Sequence, residues 1–447
     1  MATKSYNFNA DPTKDFFISM LVRDINLSDA IGDLVDNSVD AANEHLNNKS
    51  KKVYKIHITT DKEEFKIEDN CGGIEIDRAK KYAFKFGKPS GEPFKNYSTG
   101  QFGIGMKRAF FKIGSKIKIY SWTTEQDNFE VEINVDDWLT EKTWEFEYKT
   151  NIKQRKIFGE LQSGTVISIE KLHKNVKESF VSENERTRLK NELKLENTLN
   201  LLNKKIEIKL NNSILTPPFL SIISNEKIKP AYYTHSFEND VEVKILAGVS
   251  EDLKDEGGWY VFFNNRLIIG PDTSKTTGWT GGKGKDKGDG VALYHDQYFR
   301  FRGYIFFNSQ NPTYLPWTTT KTTVDDGSPL YKNVRQKMID IMRPIMSFMN
   351  KVKQEKEKNN PEKNRKFNIA LENSKPQNIF EILNEPEGLK HTFSCSIREF
   401  TPVKDGVRVS FLRPKEQVEK VKKFFDVSKN GDAGAFAFDY FYKKEKL

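Results

Sequence analysis

Gly100-Gln101-Phe102-Gly103-Ile104-Gly105-Met106-Lys107 is the stretch on which the reading of this chain turns. It has the pattern Gly-x-x-Gly-x-Gly-x-Lys and runs straight into Arg108-Ala109-Phe110-Phe111-Lys112-Ile113, which is apolar and helix-compatible. Glycines let backbone N–H groups approach a phosphate chain, and a helix N-terminus adds positive potential there. Lys107 adds a full positive charge. This chemistry suits a nucleoside triphosphate. Two other phosphate motifs do not fit. A dinucleotide fold needs a ribose-binding acid at a strand end about 20 residues beyond its loop, and a Walker loop needs Ser or Thr after the Lys. For the loop alone, a structural hairpin remains a competing reading.

What precedes the loop adds weight. Leu27 to His45 has helical periodicity, with Leu27, Ile31, Leu34, Ser38 and Ala42 on one face. Asp29, Asp33, Asp36, Asn37, Asp40 and Glu44 fall on the other, and Ser28 or Asp29 is the expected cap. A solvated acidic face is the plain reading of such a charge run. Against it, Asn37 follows Asp33 by one helical turn, so both side chains share a face. A carboxylate and an amide so placed suit an attacking water and a Mg²⁺ ion around one phosphate. Strand-like runs follow at Val53–Thr60 and Glu64–Glu68, ending in Asp69-Asn70-Cys71-Gly72-Gly73-Ile74, an acid before a tight glycine turn. Gly164-Thr165-Val166-Ile167-Ser168-Ile169 is a strand opening on Gly-Thr, uninformative by itself.

In this order the four elements resemble the GHKL superfamily of ATPases. That superfamily includes the ATPase component of DNA gyrase, the ninety-kilodalton heat-shock chaperones, MutL, histidine kinases and the MORC proteins. Its first signature, Glu-x-x-x-Asn-x-x-Asp-Ala, reads here Asp33-Leu34-Val35-Asp36-Asn37-Ser38-Val39-Asp40-Ala41. The resemblance covers roughly the first 215 residues and is closest in feel to bacterial MORC-like proteins. It implies ATP and Mg²⁺ as cofactors. By resemblance, Asn37 holds Mg²⁺ and Asp40 belongs to the same binding set. Asp69 hydrogen-bonds the adenine amino group with Thr165 acting through water, and Gly73 lets the nucleotide approach the backbone. Gly100, Gln101, Phe102, Gly103, Ile104, Gly105, Met106 and Lys107 wrap the β- and γ-phosphates, and Phe84–Thr99 forms a lid. Two positions depart from the pattern. The water-activating Glu is Asp33, one methylene shorter, which is expected to slow catalysis. The first Gly of the second motif is Cys71, where φ must suit a residue with a Cβ.

Farther on, Gly258–Ile268 reads as strand, Asn-Asn turn, strand, and Phe299–Asn308 as another strand. Pro271–Gly290 has no hydrophobic period and is expected to be a long mobile loop. Leu315–Asp325 carries one lysine, Lys321, among threonines. This region resembles the transducer domain of MutL, MORC and type II topoisomerases, in which a loop lysine reaches the γ-phosphate. Lys321 is the matching residue, so with Asp33 it is assigned to catalysis. Ser328-Pro329 is a helix start, followed by an apolar stripe of Leu330, Val334, Met338, Ile341, Met342, Ile345 and Met349. Near the end, Val407–Phe411 alternates like a strand. Helical runs follow at Pro414–Phe425 and Gly431–Lys444, the second with Ala433, Phe436, Ala437, Tyr440 and Phe441 inward. Strand–helix–helix resembles a ribbon-helix-helix module, with Arg408 and Ser410 outward. A small α+β appendage is the competing reading.

The expected fold class is therefore α+β. A Bergerat-type α/β sandwich spans 1–215 and a transducer domain with a β-sheet and helices spans 216–352. A linker follows over 353–390, then a small C-terminal module over 391–447. The 447 residues include 72 Lys+Arg against 63 Asp+Glu, a net +9 that permits DNA contact without requiring it. The two cysteines, Cys71 and Cys395, imply no disulfide framework, and with no spanning segment or leader a cytoplasmic protein is expected. Three functions stay open: an ATPase whose nucleotide state gates homodimerisation and domain movement, a nucleotide-dependent binding module that hardly hydrolyses, and a DNA-binding regulator whose oligomeric state is set by ATP. Bacterial defence or DNA maintenance is the expected setting. The protein client is unknown.

Overall fold

The computed structural model describes residues 11–46, 52–87, 98–100, 103–123, 127–281, 290–357, 366–383, 391–396 and 409–445. Helices α1 (Lys14–Arg23) and α2 (Leu27–His45) lead into strands β1 (Tyr54–Thr60) and β2 (Glu64–Asp69). A short turn, α3 (Ile76–Arg78), continues as a π-helix over Ala79–Ala83, and α4 (Gly105–Ile113) runs into β3 (Gly114–Trp122). Then come β4 (Asn128–Asn134), α5 (Val135–Thr140), β5 (Tyr148–Thr150), β6 (Gly164–Leu172), α6 (Lys174–Val181), α7 (Glu183–Glu196), α8 (Thr198–Leu202), β7 (Ile206–Leu210) and β8 (Ser213–Ile214). These strands form one sheet in the order β5-β4-β3-β6-β2-β1-β7-β8, antiparallel except where β1 pairs with β7.

Helix α2 covers the expected span, and its apolar stripe explains its position. Ile31, Leu34, Val35 and Val39 are buried in one cluster with Ile56, Ile58, Phe65 and Ile67 of the sheet. Its cap differs from expectation. Asn26, which precedes both Ser28 and Asp29, accepts from the Asp29 N–H at 2.8 Å. The opposite face is only partly solvated, as the Asp33–Asn37 spacing suggests: Asn37 and Glu44 are exposed. Asp33 and Asp36 are 3% and 4% exposed, because α4 and the second half of the chain cover them.

The second sheet is built from β11 (Ala231–Phe237), β12 (Val241–Val249), β13 (Gly258–Phe263), β14 (Arg266–Asp272) and β15 (Phe301–Asn308), in the order β11-β12-β15-β13-β14. It is preceded by the short strands β9 (Ser221–Ile223) and β10 (Ile228–Lys229). Helix α9 (Pro329–Glu357) lays Val334, Met338, Met342 and Ile345 against Ile245, Val261 and Ile305 on one face. On the other face Leu246, Phe262 and Phe306 meet Ile382, Leu195 and Leu199. Leu195 and Leu199 belong to α7 and α8, so the two sheets are joined through these helices.

Three regions differ from what their sequence leads one to expect. Pro271–Gly290 is not wholly a loose loop: β14 runs to Asp272, and Trp279 is 1% exposed against Tyr294, Tyr298 and Phe301. Residues 282–289 lie outside the described residues. The stretch expected as a linker carries the end of α9, then α10 (Lys366–Glu372), β16 (Pro376–Asn378) paired with β9, and α11 (Ile379–Leu383). Beyond it, β17 (Ser394–Cys395) pairs with β10. Finally, no strand forms over 409–411, because no neighbour among the described residues offers a ladder and a lone strand is not stable. Val407 and Arg408 lie outside the described residues. Helices α12 (Lys415–Phe424) and α13 (Asn430–Lys444) do form. Of the inward set only Ala433 is buried, while Tyr440 and Phe441 are exposed. The class as a whole is α+β, as expected. Among the described residues no helix is long and apolar enough to cross a membrane.

Candidate functional site

A cleft of about 230 Å³ lies over α2 and the start of α4. Asp33, Asn37 and Asp40 contribute from α2, and Gly100, Gly103, Ile104, Gly105, Met106 and Lys107 from the glycine loop and α4. Gly73 borders it from the turn after β2, Arg78, Tyr82 and Ala83 from α3 and the π-helix that follows, and Thr319 and Lys321 from the second half of the chain. Asp69 and Thr165, predicted at the same site, do not line it. They lie side by side behind it, buried, where β2 pairs with β6. Gln101 and Phe102 lie outside the described residues.

Helix α4 begins at Gly105 without a side-chain cap and without an acid in its first turn. Its first N–H groups therefore have no partner within the helix, which favours an anion at that end. At Gly105 the helix passes close to α2: a Cβ there would stand 3.1–3.3 Å from the Asp33 carboxyl group and would have to push it aside. Lys107 is 2% exposed and donates to the Ala83 and Gly103 carbonyls. Burial pulls its amine down to about 7, so an anion in the cleft would favour its charged form. Asp40 accepts from the Thr99 N–H and hydroxyl and from the Gly100 N–H, at 3.0–3.2 Å, and so fastens the start of the glycine loop to α2. Burial pushes its carboxyl up to about 6, helped by the neighbouring Asp36 charge. Asn37 is exposed.

The acid before the glycine turn has a structural task as well. Asp69 accepts from the Ser38 hydroxyl at 2.7 Å and from the Cys71 N–H at 2.9 Å, tying α2 to the turn. Burial raises its carboxyl. The turn itself uses positive φ at Gly72 and Gly73, whereas Cys71 is not left-handed, so a Cβ is tolerated at 71. A Cβ at Gly73 would lie 2.4 Å from the Trp122 carbonyl oxygen.

Under the cleft lies a buried charge cluster that sequence reading missed. Arg108 bonds Asp33 Oδ2 through Nε and Nη2, both at 2.7 Å, and gives Nη1 to the Thr319 carbonyl. Lys321 Nζ is 2.9 Å from Asp36 Oδ2 and 3.4 Å from Asp33 Oδ1. Arg266 pairs with Asp36 Oδ1 and stands 3.4 Å from Glu196. Burial alone would raise the Asp36 carboxyl, but Arg266 and Lys321 together hold it below its usual range. Glu196 is pushed up to about 7 by burial against the pull of Arg266. Since that value exceeds the unfolded one, ionising Glu196 lowers stability as pH rises through about 7. Arg108 was available to sequence reading as the residue after Lys107. Arg266 was not: it follows the Asn264-Asn265 turn, stands 230 residues from Asp36, and no local pattern connects the two.

Residues 25–165 match the model of a family described as histidine kinase-, DNA gyrase B-, and HSP90-like ATPase. The match starts just before α2 and ends at Thr165, enclosing the three earlier motifs and the Gly-Thr start of β6. It supports the GHKL superfamily for this stretch, and the large sheet with its covering helices is consistent with a Bergerat α/β fold. No curated protein matches the chain.

Proposed function

We propose that the cleft binds Mg·ATP and that the protein is a GHKL-type ATPase whose nucleotide state gates domain movement and homodimerisation. The observation that carries this reading is an uncapped, anion-ready α4 N-terminus facing the exposed Asn37, inside the stretch that matches the ATPase family. In this reading the α4 amides and Lys107 hold the terminal phosphates, and a base entering past Gly73 would meet Asp69 and Thr165, which stand behind the cleft. Asn37 holds Mg²⁺, which neutralises phosphate charge when bound. Among the described residues no group of three acid, His or Cys side chains is placed to hold a metal. That fits an ion liganded mainly by phosphate and water, as Mg²⁺ prefers. Asp33 orients the attacking water, and Lys321 meets the γ-phosphate.

One observation favours a second reading, a nucleotide-gated binding module with little hydrolysis. Asp33 is held by two nitrogens of Arg108 and approached by Lys321, so three donors compete for the lone pairs a water would need. The test of nucleotide binding is a calorimetric titration of the wild type and Asn37→Ala with Mg·ATP. Wild type is expected to bind and Asn37→Ala to bind at least tenfold more weakly, a loss of about 1.4 kcal/mol. Equal affinity would remove Asn37 from the site, and no binding in either would end the nucleotide reading.

A further inference from the structure

Asp36 is an acid of the buried cluster that neither the motifs nor the cleft accounts for. It sits on α2 between Asp33 and Asn37, yet it does not border the cleft, whereas Lys321 and Asp33 do. Its two oxygens are divided: Oδ1 takes Arg266, and Oδ2 takes the Lys321 ammonium at 2.9 Å. Lys321 is 8% exposed and left-handed at φ 57°, its N–H bonded to the Thr318 carbonyl at 3.0 Å. The lysine assigned to a terminal phosphate is thus already held by a carboxylate behind the cleft wall.

We propose that Asp36 is a positioning residue, a resident counter-ion that competes with the terminal phosphate of a bound nucleotide for Lys321. This rests on the nucleotide reading of the cleft and goes beyond it. A ligand shifts such an equilibrium only by its differential contacts with the two states. A diphosphate offers nothing at the γ position, so Lys321 stays on Asp36. A triphosphate draws it across. Arg266 makes the exchange feasible, because it remains on Asp36 when the lysine leaves and spares that buried carboxylate from being unpaired. Part of the affinity for a triphosphate is therefore spent on breaking the Lys321–Asp36 contact.

The experiment measures full-chain affinities for Mg·ADP and for a non-hydrolysable Mg·ATP analogue in wild type, Asp36→Asn, Lys321→Met and the double variant. Asp36→Asn is near-isosteric and leaves Arg266 with Glu196. It is expected to bind the analogue about tenfold more tightly, by release of one charge-assisted bond, and ADP unchanged. In the Lys321→Met background the same substitution is expected to change neither affinity. If Asp36→Asn shifts both nucleotides alike, or acts equally without Lys321, Asp36 has only a structural role and the proposal fails. Wild type that binds both nucleotides while Asp36→Asn leaves their ratio unmoved overturns this inference alone. Wild type that binds neither overturns it together with the nucleotide reading. Should Asp36→Asn not fold, hydrogen exchange of the wild-type backbone over Thr318–Thr323 replaces it. A difference between analogue and ADP is expected there, and identical exchange overturns the proposal.

Discussion

Replacing Asp33 by asparagine is expected to lower ATP hydrolysis by about 10²–10⁴-fold while leaving nucleotide affinity within a few-fold of wild type. Asn keeps an acceptor oxygen for Arg108, so the α2–α4 contact survives. It cannot take a proton from water. This makes Asn a cleaner probe than Ala, which would leave the Arg108 guanidinium, 5% exposed, with only the Thr319 carbonyl. Steady-state turnover with parallel binding titrations checks it. If Asp33→Asn turns over like wild type, Asp33 is not the base. If wild type binds nucleotide without turnover, the ion pairs on Asp33 have made the site a binding module.

Arg266→Ala is expected to destabilise the protein by about 3–5 kcal/mol, the usual consequence of leaving buried charges without their partner. Asp36 would keep Lys321 alone, and Glu196 would lose the guanidinium beside it. The thermal midpoint should fall by on the order of 10 °C. Because Arg266 is the first residue of β14 and Asp36 lies on α2, the loss should also loosen the second sheet from the first. Differential scanning calorimetry of the two proteins at neutral pH gives the comparison. A shift of less than about 2 °C would mean that the pair contributes little beyond its own desolvation.

These residues mark where sequence reading succeeded and where it stopped. Helix α2, the glycine loop and the Gly-Thr strand were legible because each follows a local period or a turn requirement that neighbouring residues reveal. The cleft was legible for the same reason: most of its lining comes from those segments. Asp69 was read for its position at a strand end, but its bonds to Ser38 and Cys71 depend on how α2 crosses the sheet. The contacts of Arg266 and of Lys321 with Asp36 join residues 230 and 285 apart, and no spacing rule reaches so far. The departure of α2 from a solvated acidic face was legible from the Asp33–Asn37 spacing, but the burial of Asp33 and Asp36 was not, since it comes from partners distant in the chain. At the C-terminus the error ran the other way. The alternation around Val409 was real, but no second strand stands beside it among the described residues, and local pattern without a partner makes no sheet.

The most direct test of nucleotide binding in the cleft is a crystal structure of the full chain with Mg²⁺ and a non-hydrolysable ATP analogue. In that complex the terminal phosphates are expected on the first-turn amides of α4 with Lys107 beside them. The metal is expected on the Asn37 side chain, and Lys321 Nζ moved from Asp36 to the γ-phosphate while Arg266 stays in place. An analogue bound elsewhere, or bound in the cleft with its phosphates turned away from Gly105, would contradict it.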